Sequence, residues 1–142
     1  MLRFDAVSLP YAEVLENLHK LCFEKYWNKS AFEALLRLPT TYGWVCENGF
    51  ILFSVCADEA EILTLGIHPQ IRKNGVGTAL LSYALEQLKN QGVQSVFLDV
   101  SVLNLPARAL YQKLGFDQIA VRKAYYTENN QKTDALILKK KI

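Results

Sequence analysis

The stretch Glu61-Ile-Leu-Thr-Leu-Gly66-Ile-His-Pro-Gln-Ile-Arg72-Lys-Asn-Gly75-Val-Gly77-Thr-Ala-Leu80-Leu-Ser-Tyr-Ala-Leu85-Glu-Gln-Leu88 decides the fold, because its hydrophobic period changes in the middle. Ile62 to Ile67 form a short run that is apolar on both faces, as a strand buried in a sheet requires. From Thr78 onward Leu80, Leu81, Ala84, Leu85 and Leu88 recur with helical spacing. Gly75 and Gly77 stand at the junction. A strand that feeds a glycine turn opening a helix leaves unpaired backbone N–H groups, and the positive end of the helix dipole, beyond the strand. Such a terminus suits a phosphate or pyrophosphate. A P-loop is excluded because no Gly-Lys-Ser/Thr follows, and the dinucleotide fingerprint fails because its third glycine position is Leu80.

Composition narrows what this element can belong to. The chain has 142 residues, 51% hydrophobic and 21% charged, enough for one domain with a core of its own. No apolar run approaches the ~18 residues of a membrane span, and the N-terminus has no basic-then-apolar leader, so a cytoplasmic location is expected. Cys22, Cys46 and Cys56 are widely spaced, which favours buried thiols over disulfides or zinc. His19 and His68 have no acidic or cysteine partners at ligand spacing, so no metal site is expected. A net charge of +2 does not point to nucleic acid.

Arg72-x-x-Gly75-x-Gly77 resembles the acetyl-CoA pyrophosphate loop of the GNAT N-acetyltransferase superfamily. The likeness continues through Leu65-Gly66-Ile67-His68-Pro69, similar to that family's splayed fourth strand, then Asn104 and Ala109-Leu110-Tyr111-Gln-Lys-Leu114-Gly115-Phe116, then Arg122-x-x-Tyr125-Tyr126. Within the superfamily it is most similar to the RimI-type ribosomal-protein N-terminal alanine acetyltransferases. The resemblance implies acetyl-CoA as co-substrate, held by Leu65, Gly66, Ile67, Arg72, Lys73, Asn74, Gly75, Val76, Gly77, Thr78, Asn104 and Tyr111. It also implies an acceptor groove walled by Tyr26 and Trp27 on one side and by Tyr125 and Tyr126 on the other.

Along the chain, alternation from Leu2 to Val7 suggests a first strand, and Ser8 stands where a helix N-cap would, with Pro10 in the first turn. Tyr11, Val14, Leu15, Leu18, Leu21 and Cys22 keep a helical stripe to about residue 22. Tyr26 and Trp27 follow, either in the acceptor wall or as cover for the sheet edge, and a short helix around Phe32, Leu35 and Leu36 stops at Pro39. Asn48-Gly49 is a hairpin signal between strands at 42–47 and 50–57. After the glycine turn and its helix, Val96, Leu98 and Val100 mark a strand parallel to the Glu61 strand, since a helix crosses between them. A helix over 105–114 capped by Asn104, then strands near 116–124 and 133–140, complete the order. Lys139-Lys-Lys141 reads as an exposed edge strand protected by charge. The fold class is α/β (α+β), a GNAT-like mixed and mostly antiparallel sheet of about seven strands, with a central parallel βαβ unit and helices on both faces.

Acetyl transfer from a thioester to an amine needs a neutral amine, a polarised carbonyl and a proton for the departing thiolate. A backbone N–H near Ile67 is implied for the carbonyl, and Gly66 either permits a bulge there or accommodates close packing. Tyr111 matches the thiolate-protonating tyrosine of RimI-like enzymes, and a phenol near ~10 can supply a thiol near ~8.5; its other reading is a core tyrosine. For the base, Asp99 stands where those enzymes carry glutamate, and Ser101 where they carry arginine. Glu61 matches the strand glutamate of histone-acetylating members. Either carboxylate could instead be a solvated strand residue. The leading reading is transfer to a protein N-terminal amine, with transfer to a small amine and a non-catalytic CoA-binding module as its alternatives. A monomer or a homodimer, with no membrane or nucleic-acid partner, is expected for each.

Overall fold

The computed structural model describes residues 2–128 and 130–142. Along the chain come β1 (Asp5–Ala6), α1 (Ala12–Cys22), α2 (Lys29–Leu36), β2 (Thr41–Cys46), β3 (Gly49–Cys56), β4 (Glu59–Ile67), α3 (Val76–Asn90), β5 (Ser95–Ser101), α4 (Leu105–Lys113), β6 (Asp117–Glu128) and β7 (Gln131–Lys141). The strands form one sheet in the order β1-β2-β3-β4-β5-β7-β6. β4 and β5 run parallel and their neighbours antiparallel, as the α3 crossover demands. Helices cover both faces. α3 packs its Leu80, Leu81, Leu85 and Leu88 stripe on one face, and α1 with α2 buries Leu15 and Phe32 on the other.

The β4–β5 pairing is short. It comprises Glu59↔Ser95, Ala60↔Val96 and Glu61↔Phe97, yet β4 continues to Ile67 and β5 to Ser101. Beyond Glu61 the two strands part, and the expected splay is there. The expected bulge at Gly66 is not. Gly66 lies in register opposite Phe50, and the irregularity falls where Leu52↔Thr64 is followed by Phe53↔Ile62, leaving Leu63 as the extra residue. That insertion shifts the alternation by one. Ala60, Ile62, Leu65 and Ile67 therefore all reach the α3 side, while Leu63 packs with α1 and α2. Gly66 is glycine for close packing, since a Cβ there would come within 2.6 Å of the Phe50 ring and 3.1 Å of Cys22 Sγ.

Other sequence expectations shift for local reasons. β1 is confined to Asp5 and Ala6, with the Val7 N–H adding one bond to the Gly43 carbonyl at 3.0 Å, while Phe4 stacks on Tyr83 at 4.5 Å between ring centres. The Ser8 side chain caps nothing; a 3₁₀ turn over Leu9–Tyr11 with Pro10 inside it precedes α1. In α1, Val14 and Leu21 face solvent and His19 takes the inner position. The first hairpin turns at Glu47-Asn48, one residue earlier than the Asn-Gly signal, with Cys46 opposite Gly49 and Asn48 in the left-handed region at φ 64°. The lysine-rich β7 is an interior strand between β5 and β6, and β6 is the edge. Lys140 Nζ reaches back to donate to the Leu114 carbonyl, and Lys139 covers the Phe97 ring at 5.2 Å.

Candidate active site at the parting of β4 and β5

One lip of the opening is the start of α3. Gly75 is its N-cap, at φ 79° and with no side-chain cap, and the first residue to bond back is Ala79, whose N–H donates to the Gly75 carbonyl at 3.0 Å. The N–H groups of Val76, Gly77 and Thr78 thus have no partner among the described residues, and they lie at the positive end of a 15-residue helix. Lys73 also adopts a left-handed φ of 71°, which with Gly75 bends the loop at Arg72-Lys-Asn74. At Gly77 an added Cβ would meet Leu110 Cδ2 at 3.6 Å and Ile67 Cγ1 at 3.7 Å, ordinary contact distances. The protein's own packing does not require glycine there. An approaching ligand would.

The end of β4 is pinned from two directions. Arg72 Nε donates to the Ile67 carbonyl at 3.0 Å, and the Cys22 thiol of α1 donates to the same oxygen at 3.3 Å. Burial pushes the Cys22 thiol up, against the opposing pull of Arg72. The Arg72 guanidinium thus bonds the Ile67 carbonyl through Nε and bears on the Cys22 thiol as well. Asn104 caps α4 by accepting from the Ala107 N–H at 3.2 Å, so its side-chain amide nitrogen stays available at the end of β5.

The other lip gathers titratable groups. Tyr111 on α4 is 6% exposed and meets Phe116 edge-on at 5.6 Å. Burial, with a smaller contribution from Tyr126, raises its phenol well above the usual range. Tyr126 on β6 is pushed up to about 12, first by burial and then by the charges of Asp99 and others, including Glu128, with Arg122 opposing. Tyr126 is thus the common neighbour, within electrostatic reach of Tyr111 on one side and of Asp99 and Glu128 on the other. Asp99 faces Arg122 Nη1 at 3.8 Å, a half-solvated pair worth at most ~1 kcal/mol, and Arg122 also lies 5.1 Å from the Tyr125 ring. Glu61 shares with Asp99 a groove of about 320 Å³ that Phe97, Ile137, Glu59 and Arg122 also line. The two carboxylates proposed from sequence therefore open onto one volume.

The two tyrosines at the end of β6 owe their position to a wide bulge. Arg122 opposes Ala135 and Tyr126 opposes Thr133, so Lys123, Ala124 and Tyr125 together face the single residue Asp134. Asp134 Oδ1 closes the bulge by accepting the Ala124 N–H at 2.8 Å, and this bond holds its carboxyl below the usual range. Tyr125 is 49% exposed and packs edge-on against Tyr126 at 5.0 Å. Tyr26 is also exposed, with Lys20 Nζ 5.6 Å from its ring. Trp27 belongs to the α1–α2 core: its N–H donates to His19 Nδ1 at 2.9 Å and its ring stacks on that histidine at 4.9 Å. Of the pair, Tyr26 is the side chain turned outward.

Several contacts here do not follow from the sequence pattern. Arg122 is Asp99's partner in place of an arginine at Ser101. Ser101 Oγ instead donates to Glu128 Oε2 at 3.1 Å, which Thr133 Oγ1 also contacts at 3.2 Å. Alternation along β5 does put Ser101 on the face of Asp99, but nothing local says that Glu128 folds over it. Among the described residues no three His, Cys, Asp or Glu side chains cluster as metal ligands do, and no helix is long and apolar enough to cross a membrane.

Known proteins resemble this chain in sequence and fold. The [ribosomal protein bS18]-alanine N-acetyltransferase of Escherichia coli (strain K12) is 34% identical over 89 residues, 63% of this chain, and the match spans 60% of that relative's length. A Bacillus subtilis (strain 168) protein, whose name assigns it the same role provisionally, is 34% identical over 122 residues, 82% of this chain and 80% of its own. The crystal structure of the ribosomal-protein-S18-alanine N-acetyltransferase from Escherichia coli superposes with a TM-score of 0.88 at 25% identity, covering 100% of this chain and 94% of that one. Arabidopsis thaliana NAA60 in complex with acetyl-CoA has the same fold, at a TM-score of 0.86 and 21% identity over 100% of this chain and 99% of that one. The model of the acetyltransferase (GNAT) family matches residues 12–116, from α1 through the β4 opening, the α3 terminus and α4 to Phe116. With that span shared, and with the splayed strands and uncapped helix start that the shared residues build, the chain belongs to the acetyltransferase (GNAT) family.

Proposed function

We propose that the protein is an acetyl-CoA-dependent N-acetyltransferase whose acceptor is the α-amine of a protein N-terminus. The observation that carries this reading is the parting of β4 from β5 after Glu61 and Phe97, with free helix N–H groups at the start of α3 and with Tyr111 and Asp99 each in electrostatic reach of Tyr126. The N–H groups of Val76, Gly77 and Thr78, with Arg72 and Lys73, take the pyrophosphate. The pantetheine arm enters between the strands beside Asn104, and the thioester carbonyl lies against the backbone of Leu65, Gly66 and Ile67. Pinning of the Ile67 carbonyl by Arg72 and Cys22 keeps that backbone from shifting as the carbonyl oxygen gains charge.

The acceptor reaches the thioester from the groove that Glu61 and Asp99 line, between Tyr26 and the Tyr125-Tyr126 pair. Its nitrogen attacks the acetyl carbon, the C–N bond forms and the C–S bond breaks. The amine's surplus proton leaves through groove water to Asp99 or Glu61, and the thiolate takes a proton from Tyr111, which recovers one from solvent. Burial keeps Tyr111 protonated at any physiological pH, so it is always a donor. The same burial makes Tyr111 a weaker acid, so the transfer relies on the dry surroundings disfavouring the thiolate it serves as well.

Transfer of acetyl from acetyl-CoA to a peptide beginning Ala-Arg, set against polyamines, amino acids and aminoglycosides, tests the reading. Faster acetylation of the peptide supports it. A small amine as the preferred acceptor replaces the substrate and keeps the chemistry, while tight CoA binding without transfer to any amine makes the chain a binding module.

A further inference from the structure

We infer that Glu128 docks the acceptor as an ammonium ion, setting the site's preference for a charged amine; this rests on the acetyl-transfer reading above. Asp99 and Ser101 are two residues apart on β5, so their side chains share a face and their Cα atoms stand ~7 Å apart. Glu128 comes onto that face from the far end of β6. Its Oε2 accepts from Ser101 Oγ at 3.1 Å and from Thr133 Oγ1 at 3.2 Å, while Ser101 Oγ accepts the Leu103 N–H at 3.2 Å. Ala135, which opposes Ser101 across the ladder, offers only a methyl group in the way. Three strands thus fix one carboxylate beside the opening.

What that carboxylate lacks is a cation. Asp99 has Arg122 and Asp134 has Lys123, whereas among the described residues no Lys or Arg stands within ion-pair distance of Glu128. Both of its hydroxyl donors go to Oε2, and Oε1 accepts nothing among the described residues. A half-buried carboxylate with one oxygen oriented and the other unused is completed by a cationic donor. The Tyr126 phenol senses both Asp99 and Glu128, so the two carboxylates share one neighbour. An α-amine with a pKa near ~8 is mostly ammonium at neutral pH, so it arrives in the form Glu128 holds and gives up its proton toward Asp99 or Glu61.

The test compares a hexapeptide beginning Ala-Arg with its Nα-acetylated copy, by calorimetry at pH 6.5 in saturating CoA. Wild type should bind the free-amine peptide about tenfold more tightly, the usual worth of a hydrogen bond to a charged group. Glu128→Gln keeps the oxygen that Ser101 and Thr133 donate to and removes the charge; it should erase the preference while leaving CoA affinity unchanged. Ser101→Ala and Thr133→Val keep the charge and should retain most of the preference. An undiminished preference in Glu128→Gln overturns the inference. So does absence of a preference in wild type, or an equal loss in the two hydroxyl variants, which would make Glu128 a structural latch. Wild type that selects the ammonium peptide but transfers no acetyl keeps the docking role and removes the transferase reading; transfer with Glu128→Gln unaltered in acceptor KM does the reverse.

Discussion

Gly77→Asp separates binding from folding, because the two should move in opposite directions. The Cβ would sit at 3.6 Å and 3.7 Å from its nearest neighbours, so the fold has room for it. Residue 77 is the second residue of α3, where a carboxylate meets the positive helix end for ~0.3–1 kcal/mol, and replacing glycine by aspartate recovers a few tenths of a kcal/mol (~0.3) of helix propensity. The melting temperature of the free protein should therefore hold or rise by a few degrees, at ~2–8 °C per kcal/mol for domains near this size. A pyrophosphate at the same helix start would face the new carboxylate at ~5 Å, and at an effective dielectric of ~20 one like-charge pair costs ~3 kcal/mol. That is about two orders of magnitude in Kd. Calorimetry of CoA binding, paired with a thermal melt, reads both. Unchanged CoA affinity would refute the placement of the pyrophosphate, and a melting temperature lowered by ten degrees would refute the packing argument.

Tyr111→Phe should lower kcat by about 10²-fold or more with little change in acetyl-CoA affinity, measured by steady-state thiol release; a variant as fast as wild type removes Tyr111 as the acid. Asp99→Asn and Glu61→Gln, made separately, should identify the base by which one abolishes the acidic limb of the pH–rate profile, and a limb unchanged in both means the amine loses its proton without a protein base. His19 is buried with its Nδ1 accepting from Trp27, and burial lowers its pKa from 6.5 to about 4. The unfolded chain then binds a proton that the folded one refuses, so His19 takes nothing from stability above pH 6.5 and subtracts increasingly as pH falls from 6.5 to about 4. Thermal melts across that range should show the slope in wild type and a shallower one in His19→Asn, whose side-chain oxygen can still accept from the Trp27 N–H; identical slopes would contradict the buried neutral histidine.

The βαβ unit was legible because its signal is local. A strand period gives way to a helical one across Gly75 and Gly77, and the crossover rule then orients β4 and β5 without further information. The Leu63 bulge was not legible, since the sequence pattern Ala60, Ile62, Leu65, Ile67 makes sense only once β3's register against β4 is known. The order of the last two strands was hidden for a similar reason. β6 and β7 both alternate, and the three lysines of β7 resemble edge protection until Lys140 is seen reaching Leu114 and Lys139 covering Phe97. In the site, Tyr111 and Asp99 stand on elements whose faces follow from periodicity, and Tyr126 is the residue whose phenol feels Asp99 and bears on Tyr111. Trp27 does not join them, because His19 draws it into the α1–α2 core, and that pairing spans a turn with no periodicity. Glu128 lies near a hairpin tip where a solvated glutamate is ordinary, and only the fold of β6 and β7 over Ser101 gives it a neighbourhood.

A crystal structure with acetyl-CoA bound tests the central claim most directly. The account predicts the pyrophosphate within hydrogen-bond distance of the backbone N–H groups of Val76, Gly77 and Thr78, and the thioester between β4 and β5 within reach of Tyr111. A pyrophosphate bound elsewhere on the chain, or a thioester outside the space that opens after Glu61 and Phe97, would contradict it.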